Sequence, residues 1–109
     1  MTVKHVVMFG IKDDVPSEKI EELKNGLLSL PKQIDVIRGF ELGEDLKLPG
    51  GQSHPAGKNR SLCWSVWFAS AGDYEAYDKH QAHVDVLNQK IKPILLPGSR
   101  AAVQYEISD

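Results

Sequence analysis

The seven residues Tyr77-Asp78-Lys79-His80-Gln81-Ala82-His83 gather a tyrosine, an aspartate and two histidines just ahead of an apolar stripe at helical spacing. A helix N-terminus carries partial positive charge, which disfavours protonating an adjacent imidazole and leaves a neutral base near pH 7. Such a histidine can accept a proton, and a tyrosine hydroxyl can hold or polarise a substrate oxygen. The same positions admit a quieter reading, with a histidine as helix cap and Tyr77 as core. His5 stands among Val3, Val7 and Phe9. Burying an imidazole there costs free energy unless its nitrogens find partners, so His5 is either a satisfied core histidine or a poised base or donor in a pocket.

Other candidate chemistries are weaker. His80-x-x-His83 is an i, i+3 pair that Asp78, Asp85 or Glu75 could extend. Zinc sites usually need three or four protein ligands, and helical ones commonly use i, i+4, so no metal is expected. Cys63 has no partner thiol and reads as a small buried hydrophobe. Gly50-Gly51 fits no phosphate-cradling pattern, and His54 in the same stretch reads as solvated.

The elements that would position these groups follow from periodicity. Residues 2–12 alternate as a strand, with Val3, His5, Val7, Phe9 and Ile11 on one face and Lys4, Val6, Met8 and Gly10 on the other. Ser17 or Asp14 can cap a helix over 18–30, whose stripe is Ile20, Leu23, Leu27 and Leu30 and which Pro31 should stop. A second strand is expected over 34–42. Residues 43–60 hold four of the nine glycines and two of the six prolines, which makes them a long surface loop. A strand over 61–69, one or two helical turns over 73–80, a helix over 82–92 ended near Pro93, and a strand over 101–107 complete the chain. The order β-α-β-β-α-β is the ferredoxin-like α+β arrangement, a four-stranded antiparallel sheet with both helices on one side.

Two helices cover one face of such a sheet. The other face should then be polar, yet Val6 and Met8 oppose Val3, Val7 and Phe9, and strand 61–69 carries Trp64 and Trp67 on opposite faces. An uncovered apolar face of several hundred Å² usually marks an interface. The expectation is a homodimer with its sheets face to face, closing a barrel that can enclose a small cavity. Alternatively the 43–60 loop covers the second face.

Composition sets the remaining bounds. The chain has 109 residues, 41% hydrophobic and 26% charged, an ordinary mixture for one globular domain over 1–109. A net charge of -2 argues against nucleic acid or an anionic membrane as partner. The longest apolar-or-Gly run, 6–11, is far short of the roughly 20 residues of a membrane helix and too short for a signal-peptide core. One cysteine permits no intrachain disulfide and fits a reducing, cytoplasmic setting. The sequon Asn59-Arg60-Ser61 is then a coincidence.

Taken in order, Val3-Lys4-His5-Val6-Val7, Glu18-Lys19-Ile20-Glu21-Glu22-Leu23, Phe40-x-x-Gly43 and Tyr77-x-x-His80-x-Ala82-His83-Val84 resemble the stress-responsive A/B barrel (Dabb) domain family over nearly the whole chain. The resemblance implies a dimeric α+β barrel. It also brings in a plant polyketide cyclase of that family, which closes a linear tetraketide by intramolecular aldol condensation without a cofactor. By that resemblance His83 abstracts the proton, Tyr77 orients His83 or the thioester oxygen, and His5 shapes the pocket. His80, Leu27, Leu62, Val7 and Phe9 would contact the ligand. Leu27 and Leu62 stand where the plant enzyme has a tyrosine and a histidine, and Gln81 replaces the family's usual proline, so the lining should differ. Three functions follow as expectations: a pocket for a small hydrophobic or phenolic ligand, a cofactor-free cyclase or lyase, and a non-catalytic stress or assembly protein.

Overall fold

A computed structural model describes residues 1–52 and 58–108, so His54 lies outside the described residues. Strands β1 (Thr2–Phe9), β2 (Gly39–Glu44), β3 (Leu62–Phe68) and β4 (Ala101–Ile107) form one antiparallel sheet in the order β2-β3-β1-β4. Helices α1 (Ser17–Gln33), α2 (Ala71–Lys79) and α3 (Gln81–Val86), the last continued by a π-helical turn over Leu87–Ile91, make the second layer. This is the ferredoxin-like α+β fold.

The alternation expected in the strands sets the two faces. Val3, His5, Val7 and Phe9 of β1 and Leu62, Trp64, Val66 and Phe68 of β3 are buried, paired in register as His5 with Val66 and Val7 with Trp64. Leu23, Leu27 and Leu30 of α1 close over them, and each such buried side chain contributes about 2 kcal/mol. On the outer face stand Val6, Met8 and Trp67, with Val103, Tyr105 and Ile107 of β4 beside β1. Met8 is 40% and Val103 53% exposed, with Glu44, Asp45, Asn59 and Arg60 bordering a hollow beside Met8. Leu46 and Leu48 in the 43–60 loop are exposed.

Several boundaries differ from expectation. Pro31 lies inside α1, which runs to Gln33. Its missing N–H forfeits one bond, but the Ile34 N–H still reaches the Leu30 carbonyl at 2.9 Å, and both side chains are buried, so packing holds the last turn closed. Neither Ser17 nor Asp14 caps α1: the N-cap is Pro16, without a side-chain cap, and Asp14 sits in the turn before it at φ 64. Residues 34–38 are a turn and not a strand, because Ile34 is drawn into the core at the end of α1. Cys63 is half-buried and paired with Met8 on the outer face, outside the core. The final helix, expected as one piece, widens into the π turn after Val86.

Two tight approaches shape the sheet. Gly10 donates to Ser99 Oγ at 2.9 Å, anchoring the turn that delivers β4. Gly39 lies under the Trp67 indole, where an added Cβ would stand 2.2 Å from the ring, and Lys4 Nζ lies 5.2 Å from that ring's centroid. Gly39→Ala must therefore displace the indole. It is expected to lower stability in urea denaturation by about 1–3 kcal/mol, with a shift in tryptophan emission. Gly43→Ala, on the same strand with nothing within 4 Å of its Cβ position, should stay within about 0.5 kcal/mol of wild type. Equal effects from the two substitutions would contradict this packing.

Candidate functional site

His5, Val7 and Phe9 of β1 and Trp64 of β3 floor a cavity of about 260 Å³. Its roof is Leu27 of α1, Tyr77 and Asp78 of α2, His83 of α3, and Leu87 and Ile91 of the π turn. Lys92, Leu95 and Arg100, on the segment leading to β4, complete the lining. The π turn closes with the Lys92 N–H on the Leu87 carbonyl at 2.9 Å, and Leu87 and Ile91, four residues apart, both face the cavity. A wider hollow of about 500 Å³, lined by Met8, Glu44, Asp45 and Arg60 among others, brings together no histidine or tyrosine among the described residues.

Each of the three polar groups expected to do chemistry has one side committed to the protein. His5 is 3% exposed, and its Nδ1 lies 2.8 Å from Gln104 Nε2, its partner across β1 and β4. An amide nitrogen only donates, so Nδ1 accepts and the ring proton sits on Nε2. Burial first, then the charges of Arg100 and His83, lowers the His5 pKa to about 4, which keeps the ring neutral. Tyr77 is also buried, and its oxygen accepts from Trp64 Nε1–H at 3.0 Å. Burial raises its pKa to about 12, so the hydroxyl keeps a proton that Trp64 does not use.

His83 is half-buried, its ring 4.5 Å from that of Tyr77 between centroids. Its Nδ1 lies 3.0 Å from the Asp78 carbonyl. That carbonyl is in the last turn of α2, where carbonyls lack helical partners, so Nδ1–H donates to it. In its neutral form the ring then carries its lone pair on Nε2. The cavity thus holds one basic nitrogen and two protonated donors within apolar walls.

Of the other expected site residues, Leu27, Val7 and Phe9 line the cavity. His80 and Leu62 do not. His80 is the N-cap of α3, its Nδ1 accepting from the Ala82 N–H at 3.0 Å, which is the capping role. Leu62 is shut into the core beside Phe9, while Trp64 takes the floor position on β3. Among the described residues no group of three His, Cys, Asp or Glu converges. Sequence reading missed Gln104, the Trp64 N–H, Tyr74 (its ring 5.0 Å from His5), Lys92 and Arg100. Gln104 had a signal: a polar residue on the inward side of β4, opposite a histidine once the strands are in register.

Comparison with known proteins places the chain. Residues 3–107 match the Stress Responsive A/B Barrel Domain family. A stress-response A/B barrel domain-containing protein of Arabidopsis thaliana is 33% identical over 75% of this chain and 68% of its own length. Among solved structures, a dimeric ferredoxin-like protein of unknown function from Thermobifida fusca has a TM-score of 0.80 at 26% identity, covering 98% of this chain and 92% of that one. A hydroxynitrile lyase from Passiflora edulis has a TM-score of 0.82 at 16% identity, covering 99% and 94%, a likeness of fold alone.

The neutral, buried state of His5 has a consequence for stability. Above pH 6.5 the imidazole is neutral whether the chain is folded or not; between pH 6.5 and about 4 only the unfolded chain takes up the proton. Stability attributable to His5 is therefore full above that window and falls as pH falls through it, by up to roughly 3 kcal/mol. The advantage of wild type over His5→Gln, followed by urea denaturation across that range, is expected to shrink toward the acid end. An advantage constant with pH would contradict the assignment.

Proposed function

This chain belongs to the stress-responsive A/B barrel domain family, and we propose that it is a homodimer of one domain over residues 1–109 whose cavity binds a small hydrophobic or phenolic molecule and moves a proton on it without a cofactor. One observation supports the chemistry: His83 presents Nε2 as acceptor while Tyr77 and His5 keep protons to donate. His83 Nε2 takes a proton from a carbon beside a carbonyl, and the C–H electron pair moves toward that carbonyl, whose oxygen gains charge. Tyr77 O–H and His5 Nε2–H donate to this oxygen in a site with little water to compete. Attack of the carbanion on a second carbonyl of the same molecule closes a ring, and His83 returns the proton to the new alkoxide. Run backward, the steps cleave a carbon–carbon bond, so cyclase and lyase are two directions of one arrangement. A lyase from Passiflora edulis shares the fold, which supports the architecture as a host for such chemistry and says nothing of these residues.

The homodimer is supported by the outer face. Met8, Val103, Tyr105 and Ile107 are all at least 39% exposed on one apolar surface, and a solved relative in fold is described as dimeric. Sheet-to-sheet contact with a second copy removes that surface from water. The one cysteine supports a reducing, cytoplasmic setting. Among the described residues no helix is long and apolar enough to cross a membrane.

Small phenols and 1,3-dicarbonyl compounds, screened by thermal shift, should raise Tm, and deuterium uptake at the α-carbon of a dicarbonyl hit reads the proton transfer without knowledge of the substrate. His83→Ala should slow that exchange by about 10²–10⁴-fold with little change in Tm, and Tyr77→Phe by about 10²-fold. Binding with no exchange above background would leave a carrier and end the catalytic reading. Light scattering should give twice the mass of one chain, and a monomer at all concentrations would end the dimer.

A further inference from the structure

The cavity is apolar in its depth and charged at its edge. Lys92 and Arg100 both line it and are exposed overall, so their stems cover the wall while their charged heads reach water. Neither makes an ion pair among the described residues, whereas Lys4, Lys24 and Lys90 each meet a glutamate. Asp78 is the one carboxylate in the lining, against these two cations. With His5 neutral, the excess of charge at the rim is positive. The field of Arg100 reaches the cavity floor, where it helps keep the proton off His5.

Resting on the cavity reading above, we propose that Arg100 and Lys92 form an anion-recognising mouth and that the molecule taken up is a small amphipathic acid, its apolar ring or short chain against Leu27, Leu87 and Ile91 and its carboxylate on the two cations. The planar guanidinium fork of Arg100 matches a carboxylate with two parallel hydrogen bonds, and Lys92 adds a point charge. The apolar walls lower the local dielectric and strengthen that attraction relative to water. A volume of 260 Å³ falls just below the roughly 300–1,000 Å³ of pockets for drug-sized ligands, so it suits one ring or a short chain. The arrangement also orients the ligand. A carboxylate held at the mouth directs the rest of the molecule inward, toward His83, Tyr77 and His5.

The test uses matched probes that differ only in charge: 3-phenylpropanoate and hexanoate, each beside its primary amide, titrated at neutral pH into the full chain. Binding is followed by NMR at His5, His83 and Leu87. Each acid should bind about tenfold more tightly than its amide, the worth of one charge-assisted hydrogen bond. In the Arg100→Gln, Lys92→Gln double variant the preference of acid over amide should fall to within about twofold, and Arg100→Lys should keep part of it. Amides that bind as well as acids would overturn the anionic mouth and leave the cavity reading standing. A preference that survives in the double variant would overturn the assignment to these two residues. If no probe perturbs the cavity resonances, the cavity reading and this inference fall together.

Discussion

The hydrogen bond from Gln104 to His5 is the constraint around which the site is built. An imidazole on the inward face of an apolar strand must be satisfied or it destabilises the sheet. Here the donor comes from β4, an edge strand whose every residue is exposed and which pairs only with β1. The floor of the cavity is therefore correct only when β4 is in register, because a one-residue slip would turn Gln104 to the outer face. The same strand is preceded directly by Arg100 and by Ser99, whose hydroxyl binds Gly10. Register, rim charge and the protonation of His5 are set together by one short ladder.

The two other polar groups obey the same rule with local partners. The Trp64 N–H fixes which side of the Tyr77 hydroxyl is occupied, and the free carbonyl at the end of α2 fixes which nitrogen of His83 carries the proton. The break at His80 makes the second possible. Its extended backbone ends α2, its ring caps α3, and three residues later His83 folds back onto Asp78. Two histidines of one short motif thus divide the labour, one shaping the chain and the other left with a basic nitrogen in the cavity.

How much of this was legible in sequence depended on range. Alternation in β1 and β3 showed the buried faces, and β4 was found with its true bounds, since strand patterns are local. The block at 77–83 marked out Tyr77 and His83, both of which line the cavity, for the same reason. The resemblance put both histidines at the ligand, and that His80 only caps was not legible, because both lie at a helix start and only the turn geometry separates them. Gln104 is 99 residues from His5, and no local pattern announces such a pair. Pro31 and Ile34 misled because proline rules and strand propensities are local, whereas both residues are governed by burial against the sheet. The π turn has no compositional mark: Leu87, Asn88, Gln89, Lys90 and Ile91 would serve an ordinary α-helix equally well.

That turn carries an evolutionary corollary. A π segment is an α-helix with a single inserted residue, so the smallest in-frame genetic event, loss of one codon between Leu87 and Ile91, would tighten the spiral and turn Ile91 relative to Leu87 in the cavity wall. The sheet and the capping histidine lie outside that segment. Lineages built on this scaffold can in that way open or seal the chamber independently of the framework that surrounds it.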